Sequence, residues 1–413
     1  MSRPIRKLIE GEWPEAISVC DPDSSSPLTS LRGYTYRGRP LLEHTWALLE
    51  ALHDHPPPPS EGRARTNTPW WHTTPSVYLA ALLLHIGLPE VAEPGKGLPA
   101  HGRRSARKAR EVLREADCPF TVREHAAALI ANQGKPSSLL GSGALAETYM
   151  EFACTADLRA LYHLKRAEAE VAGREKAVDA LDSFREKLEG LDCFGVPPEP
   201  PVTDEVLVEL EGAEAAERHR ALNTLRYFRL VARMNEPEWY AERLRQEKDC
   251  PDCRLHLLIG PAGSGKSSWA REHLEETVII SSDQMRRELT GDPSDQSQNY
   301  LVFQRCMDRV REELHRGREV TFDATNYREK LRQMPLQAGR WSGAEIVSYF
   351  FDVPLKESLR RNRQRKRSVP ERIIRRHYRL LGLPGLYEAD RHVRVDTEGT
   401  THAYWPCSEA EAD

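Results

Sequence analysis

The residues best suited to chemistry lie in the carboxy-terminal half, beginning with the segment 260–267, G-P-A-G-S-G-K-S. It fits the G-x-x-x-x-G-K-[ST] pattern, directly after an apolar run and directly before a helical one. Glycines let the backbone fold around phosphate oxygens, while the amide groups and the following helix N-terminus attract the anion. Lys266 would reach the β- and γ-phosphates, and Ser267 would bind Mg²⁺. The predicted ATP-binding residues are Gly260, Gly263, Ser264, Gly265, Lys266, Ser267 and Ser268.

A second polar group, S-D-Q-M-R at 282–286, follows a short apolar run at 278–280. Ligands of open α/β sheets bind beyond the carboxyl ends of the strands, so Asp283 is expected at such an edge. A carboxylate there can accept a hydroxyl proton, and Arg286, on the same helix face, can hold a phosphate of the acceptor. A helix-capping Asp283 with a local ion pair to Arg286 is the alternative, and the sequence leaves both interpretations open.

A third polar group ends the segment 320–326, V-T-F-D-A-T-N. If this segment begins as a strand of the same sheet, Asp323 lies at the same edge and could orient Mg²⁺ or one of its waters. Thr325 and Asn326 would then lie near the acceptor. A simple strand-to-loop turn, in which Asp and Asn satisfy their own backbone, explains these residues as well.

Basic residues dominate 356–379, where eleven lysines and arginines stand against two glutamates, a balance of 11 − 2 = +9. Arg361 and Arg365 are four residues apart, so on a helix both could project towards a transferring phosphoryl group. The remaining arginines could follow a phosphodiester backbone. A solvent-exposed basic helix without a ligand is the alternative.

Together the motifs G-S-G-K-S, S-D-x-x-R, D-A-T-N and R-N-x-x-R resemble those of 5′-polynucleotide kinases of the phage and bacterial repair type. They cover only 260–365. The resemblance implies transfer of the ATP γ-phosphoryl group to a 5′-hydroxyl end of RNA or DNA. From the motifs themselves, Ser267 and Asp323 are the predicted Mg²⁺ ligands. The catalytic residues expected from motif and resemblance are Lys266, the general base Asp283, and the lid arginines Arg361 and Arg365. The expected acceptor-binding residues are Arg286, Thr325 and Asn326.

The elements that must position these residues are short β-rich runs alternating with helical stretches, at 255–259, 278–280, 319–322, 346–351 and 392–395. This alternation predicts an α/β domain with a parallel sheet over 253–400. Residues 401–413 are predicted to be a carboxy-terminal tail. The Pro-rich stretch 195–201 cannot continue a helix, so 196–252 is predicted to be a linker followed by a helical connector.

The amino-terminal half has apolar residues at helical spacing and no convincing strand, which predicts an all-α domain over 41–195, preceded by a segment 1–40 without an assigned role. His44, His85, His101 and Asp157 are spread over its helical patterns. Imidazole and carboxylate groups on facing helices can hold a hydrolytic divalent ion. Each histidine taken alone is more often a packed, hydrogen-bonded residue than a ligand.

The order of these residues resembles the HD phosphohydrolase superfamily, including the version found in the tail of tRNA nucleotidyltransferases. HD domains fused ahead of a polynucleotide kinase form a bifunctional end-healing arrangement. Where that family has H-D-I-G-K-P, this chain has L-H-I-G-L-P at 84–89, and Gln133 stands where a further histidine is expected. The resemblance implies a second divalent transition metal at His44, His85, His101 and Asp157, in a weakened or altered 2′,3′-end phosphohydrolase site. An inert scaffold or an RNA-docking domain is the alternative.

Length and composition limit the remaining classes. At 413 residues the chain exceeds one ordinary core, and no apolar run approaches the roughly 20 residues that cross a bilayer. The amino-terminal residues lack the apolar stretch of a secretory signal, so a cytoplasmic protein without a membrane partner is expected. Eight dispersed cysteines indicate reduced thiols, and the lone pair Cys250 and Cys253 is more typical of a linker than of a zinc site.

The sequence therefore predicts an ATP-dependent kinase of 5′-hydroxyl polynucleotide ends, with a nucleic-acid ligase as a further expected partner in the same pathway. A P-loop kinase for a small hydroxyl compound is the first alternative. Such a kinase would not need the basic segment 356–379. An ATP-gated nucleic-acid-binding protein is the second. In that protein Lys266 would still matter for binding, whereas Asp283 would be dispensable.

Overall fold

The computed structural model describes residues 27–36, 38–56, 74–92, 100–195, 197–199, 202–234, 236–248, 253–292, 295, 297–365 and 367–405. The chain divides into two compact units, Met1–Pro198 and Glu199–Asp413. We call the first the helical unit and the second the P-loop unit. Most of the segment 1–40 and Cys250 lie outside the described residues, so the expectations for them stay predictions.

The described part of the helical unit is rich in helices, as predicted. A 3-10 helix, Pro27–Leu31, and a two-residue hairpin of β1 (Thr35–Tyr36) and β2 (Arg39–Pro40) precede them. The helices are α1 Leu41–Asp54, α2 Thr74–Leu83, α3 Gly102–Glu115, α4 Phe120–Asn132, α5 Lys135–Ser142, α6 Ala146–Ala153, α7 Leu158–Val171 and α8 Glu175–Glu189.

Helix α2 lies at the centre of the helical unit. Every residue from Val77 to Leu84 is buried, and α2 packs against α1, α3, α4 and α7. A helix that is apolar on all sides must be covered on all sides, which explains its position. By contrast, α1 buries one stripe, Leu41, Leu48, Leu49 and Leu52, at the spacing of an amphipathic helix. Of the histidines that the structure describes, His44, His85 and His101 belong to helices or turns that border α2.

The P-loop unit contains a six-stranded sheet in the order β4-β5-β3-β6-β7-β8. The first five strands are parallel, which confirms the predicted parallel sheet, and β8 is antiparallel to β7. The strands are β3 Arg254–Ile259, β4 Val278–Ser281, β5 Val320–Asp323, β6 Glu345–Phe351, β7 Arg391–Val395 and β8 Thr401–Trp405. The helices after β3 are α12 Lys266–His273, α13 Ser282–Thr290, α14 Asn299–His315, α15 Glu329–Trp341, α16 Leu355–Arg363 and α17 Glu371–Leu380.

Strand β3 is an inner strand of the sheet. Its residues Leu255 to Ile259 are buried on both faces, as expected for a parallel strand that is covered by helices. The prediction of a tail from residue 401 needs correction, since Thr401–Trp405 forms the edge strand β8. The turn that makes this possible is built by Asp396, whose carboxylate accepts hydrogen bonds from the backbone amides of Glu398 and Thr400. This local turn chemistry returns the chain antiparallel to β7.

Three further helices precede the sheet: α9 Asp204–Glu209, α10 Ala215–Leu230 and α11 Pro237–Lys248. They belong to the compact P-loop unit, so the separate connector predicted for 196–252 is corrected. The attachment is polar and buried. Asp390 accepts hydrogen bonds from Arg340 at 2.7 Å and from Asn223 of α10 at 3.2 Å, and Arg340 also donates to Thr224. Arg243 of α11 donates to the carbonyl of Arg340 at 2.7 Å.

Among the residues that the structure describes, no helix combines the length and the apolar character that a bilayer span requires.

Candidate functional site

The segment 260–267 forms a loop between β3 and α12, as its motif predicts. Gly263 and Gly265 have φ angles of +84° and +97°, a region that side chains disfavour. A Cβ on Gly263 would also lie 2.5 Å from the carbonyl oxygen of Ser358 in α16. Both glycines are therefore required by backbone conformation, and Gly263 additionally by the close approach of a neighbouring helix.

Lys266 lies at the start of α12 and is buried against the loop. Its Nζ donates hydrogen bonds to the carbonyl of Pro261 at 2.7 Å and to Ser264 Oγ at 3.3 Å. Burial lowers the pKa of Lys266 to about 8, with Arg365 acting in the same direction and Asp323 and Asp283 opposing it. These electrostatic contributions indicate that the predicted base, the predicted Mg²⁺ ligand and a lid arginine all lie near the lysine.

Asp283 is in the first turn of α13, directly beyond β4. Its Oδ1 accepts a hydrogen bond from Arg286 Nη1 at 2.9 Å, so the local ion pair considered in the sequence analysis does form. The Asp283 side chain is 70% exposed, whereas that of Arg286 is only 9% exposed. Arg286 Nη2 also donates to Asn299 Oδ1 at 2.9 Å. A guanidinium anchored on two sides thus lies next to a solvent-accessible carboxylate.

The end of β5 adjoins the end of β4, because Asp323 pairs with Ser281 in the parallel register. Asp323 is half-buried there. Thr325 uses its carbonyl to accept a hydrogen bond from the amide of Gly260 at 2.9 Å, which joins this segment to the loop. The predicted Mg²⁺ ligand Asp323, the predicted base Asp283 and the glycine-rich loop therefore lie at the same edge of the sheet.

Asn326 has a structural role that its predicted contact with the acceptor did not include. It is 1% exposed, has a φ of +46°, and donates from Nδ2 to the carbonyl of Leu258 at 2.9 Å. Asn tolerates this left-handed conformation better than most residues. The side chain therefore braces the backbone beneath the loop, and its Oδ1 has no hydrogen-bond partner among the described residues.

Arg361 in α16 contacts the glycine-rich loop directly. It donates to the carbonyl of Ser264 at 3.1 Å, to the carbonyl of Thr397 at 2.6 Å and to Glu357 at 2.6 Å. Arg365 does not share this helix, because α16 ends at Arg363, and the two arginines are therefore not one helical turn apart as predicted. Pro370 and the short turn before it separate α16 from α17.

Helix α17 carries an exposed basic face, formed by Arg372, Arg375, Arg376 and Arg379. Arg375 approaches Glu371 at 3.6 Å, while the other three form no ion pair with any described residue. We call these four residues the α17 basic face. Its spacing, with members three, four and seven residues apart, places them on one side of the helix.

A second group of polar residues lies inside the helical unit. His44 of α1, His85 in the turn after α2 and Glu168 of α7 have ligand atoms within 4.8 Å of one another, and all three are buried. His44 Nε2 and His85 Nε2 have no hydrogen-bond partner among the described residues. Burial lowers the pKa of His44 to about 4, helped by the charges of Arg39 and Lys165. Both imidazoles are therefore suited to bind a cation in neutral form.

The other two residues predicted for this metal lie differently. His101 is hydrogen-bonded to His85, with Nε2 2.8 Å from His85 Nδ1, and so can orient that ring. Asp157 caps α7 by accepting from the amide of Ala160, and its second oxygen lies 3.7 Å from His125 Nε2. The structure therefore groups Asp157 with His125, and Glu168 with His44 and His85.

Sequence reasoning missed Glu168 and Asn299. Glu168 follows the buried Leu161 and Leu164 at helical spacing, so a charged residue occupies a core position of α7, which was a usable signal. Glu168 also forms an ion pair with Lys165, whose pKa burial lowers to about 7. Asn299 had no comparable signal, because only the packing of α14 on α13 brings it to Arg286.

Comparison with known proteins bears on the P-loop unit. Residues 255–383 match the family model described as an AAA domain. This match supports a P-loop, NTPase-like kinase domain that uses ATP and Mg²⁺. No curated protein matches the chain.

Proposed function

We propose that the P-loop unit transfers the γ-phosphoryl group of ATP to the 5′-hydroxyl end of a polynucleotide. The observation that carries the proposal is the pair of Asp283 and Arg286 at the sheet edge that also holds the glycine-rich loop. An exposed carboxylate can take the proton of the attacking hydroxyl, while the adjacent guanidinium, held by Asn299, binds a phosphate of the same acceptor.

The other residues have complementary roles in this proposal. When ATP binds, Lys266 replaces its hydrogen bond to the Pro261 carbonyl with contacts to the β- and γ-phosphates. The phosphates favour the protonated, fully charged ammonium group. Ser267 and Asp323 would hold Mg²⁺, which neutralises phosphate charge when bound. Arg361 stabilises charge on the transferring group from above the loop, and Arg365 approaches from the turn after α16.

The α17 basic face favours a polynucleotide over a small hydroxyl compound. A single small acceptor requires one anchoring arginine, and Arg286 already supplies it. Four exposed arginines on one helix face instead suit a row of phosphates, and their binding energy would be strongly salt-dependent. An acceptor that extends beyond its first nucleotide therefore explains more of the charge on this unit.

Transfer of label from γ-labelled ATP to 5′-hydroxyl RNA and DNA oligonucleotides tests the proposal. Asp283→Asn is expected to lower the transfer rate by about 10²–10⁴-fold, the usual contribution of a general base, without weakening ATP binding. Asp308→Asn is the matched control, because Asp308 is also an exposed acid paired at i,i+3, with Arg311 at 3.2 Å. Equal loss in both variants, or transfer only to small alcohols, would contradict the proposed acceptor chemistry.

A second candidate function, metal-dependent phosphoester hydrolysis, is favoured by the helical cluster. Two buried imidazole nitrogens without hydrogen bonds and a nearby carboxylate fit the donor set of a divalent transition metal. His44, His85 and Glu168 would hold the ion, which supplies an activated water when bound. The missing His-Asp pair favours a weakened site, and the resemblance points to 2′,3′-phosphorylated ends as substrates.

Hydrolysis of a 2′,3′-cyclic phosphate oligonucleotide with Mn²⁺, Co²⁺ or Ni²⁺ tests this second candidate. Wild type should release the phosphomonoester product, and His85→Ala should abolish release while kinase activity persists. Bound metal without hydrolysis would leave a structural metal site, and neither metal nor hydrolysis would favour the scaffold or RNA-docking alternative.

A further inference from the structure

His377 of α17 forms two interactions that the proposed function does not use, one with the glycine-rich loop and one with Tyr327. The backbone amide of Ala262 donates to His377 Nδ1 at 3.4 Å. The imidazole also stacks on Tyr327, with ring centroids 4.3 Å apart and an interplanar angle of 25°. Tyr327 directly follows Asn326, which braces the backbone beneath the loop. One ring therefore joins the loop to the segment after β5.

The position of His377 is fixed by its neighbours. Tyr378, the next residue, donates from its hydroxyl to the carbonyl of Val353 at 2.6 Å and lies 2.7 Å from Ser358 Oγ. Two residues beyond the end of the same helix, the amide of Gly382 donates to the carbonyl of Tyr327 at 3.2 Å. These contacts attach α17 to its neighbours close to His377, and they fix the backbone from which the imidazole projects.

The protonation state suits an acceptor role. Burial lowers the pKa of His377 to about 4, and the positive charges of Lys266 and Arg376 act in the same direction. The imidazole is therefore neutral at pH 7. With Nδ1 accepting from Ala262, the remaining proton lies on Nε2.

We propose that His377 is a positioning residue for the phosphate-binding loop, which it holds in the shape for ATP by accepting the Ala262 amide while Tyr327 fixes its ring. The proposal rests on the ATP-binding part of the proposed function and is independent of the acceptor. His377 also links the α17 basic face to the loop, because His377 and the arginines of that face belong to the same helix. At 3.4 Å the hydrogen bond is long, so an effect of several-fold is expected.

Two substitutions separate the hydrogen bond from the stack. His377→Phe keeps an aromatic ring on Tyr327 but removes the acceptor at Nδ1. His377→Asn removes the ring but keeps an acceptor, because its Oδ1 occupies a position close to that of the imidazole Nδ1. His273→Phe is the matched control, since His273 is also stacked on an aromatic residue, Trp269, at 4.7 Å, and forms no hydrogen bond or ring contact with the described residues of the loop 260–265.

Calorimetric titration with Mg-ATP, steady-state kinetics and thermal melting are measured for each variant. His377→Phe should raise the dissociation constant and the KM for ATP by about 3–10-fold, as loss of one neutral hydrogen bond does, with kcat and melting temperature nearly unchanged. His377→Asn and His273→Phe should stay within about twofold of wild type.

Unchanged ATP affinity in His377→Phe would overturn the proposal, and so would equal weakening in His377→Asn at an unchanged melting temperature. ATP binding is measured without an acceptor, so these results stand even if no polynucleotide is phosphorylated. Failure of the proposed acceptor and failure of this positioning role are therefore distinguishable.

Discussion

In the P-loop unit, eight consecutive residues at 260–267 supply the anion-binding loop, whereas the candidate ligands of the helical unit come from α1, from the turn after α2 and from α7. The first arrangement depends on the backbone conformation of adjacent residues, with glycines at φ angles of +84° and +97°. The second depends on three distant segments that pack side by side. A local motif can therefore be recognised from sequence, while a distributed cluster depends on the packing of the whole core.

The electrostatics of the two regions differ in the same way. Around the loop, Lys266, Arg361 and the α17 basic face provide positive charge for phosphates. In the helical cluster, burial keeps His44 neutral by lowering its pKa to about 4, and Glu168 supplies the negative charge. The comparison supports the proposal of an anion site in the P-loop unit and a cation site in the helical unit.

Loss of Lys266 should give the largest effect and should be confined to one unit. Lys266→Ala removes the ammonium group that meets the phosphates, so phosphoryl transfer should fall by about 10²–10³-fold or more. The metal content of the helical unit should stay at the wild-type value, measured by mass spectrometry of the purified protein. A parallel loss of metal would show that the two sites are not independent.

The ligand set of the helical cluster is tested by two carboxylate substitutions. Glu168→Gln should weaken Mn²⁺ or Co²⁺ binding by at least about 10–100-fold, because even outer partners of a metal contribute that much. Asp157→Asn should change it less, since Asp157 lies with His125 at the start of α7. Equilibrium dialysis measures both affinities. The reverse order would favour the ligand set implied by the resemblance over the cluster in the structure.

The charge of Lys266 predicts a pH dependence of ATP binding. Its pKa is lowered to about 8 in the nucleotide-free loop, and bound phosphates favour the protonated form. As pH rises through 8, binding must increasingly take up a proton, so ATP affinity should fall by about tenfold between pH 8 and 9.5. Calorimetry over this range measures the effect. Lys266→Arg should flatten the profile, because a guanidinium keeps its charge, and an unchanged slope would contradict this explanation.

The α17 basic face should show the smallest effect, which appears in the salt dependence of oligonucleotide binding. Arg376→Gln removes one phosphate contact, so the slope of log affinity against log salt should decrease by about 1, with a few-fold loss of affinity. Arg311→Gln is the control, because Arg311 lies on α14, away from the α17 basic face, and pairs there with Asp308 of the same helix. Equal slopes for both variants would place the polynucleotide elsewhere.

The sequence by itself determined the features that consecutive residues encode. The glycine-rich loop, the β-rich runs and the helical character of residues 41–195 follow from side-chain periodicity and backbone preference. These properties act over a few residues, so packing changes them little. The positions of the two acids at the ends of β4 and β5 were also predictable, because parallel strands end at one edge of the sheet.

Only the tertiary structure decided which distant residues meet. Glu168 reached His44 and His85 through the packing of α7 on α1 and α2, and Asn299 reached Arg286 through the packing of α14 on α13. Likewise, α10 and α11 are held in the P-loop unit by hydrogen bonds between their polar side chains and Asp390 and Arg340. Such contacts depend on the relative positions of whole elements, and the spacing of residues along the chain does not specify those positions.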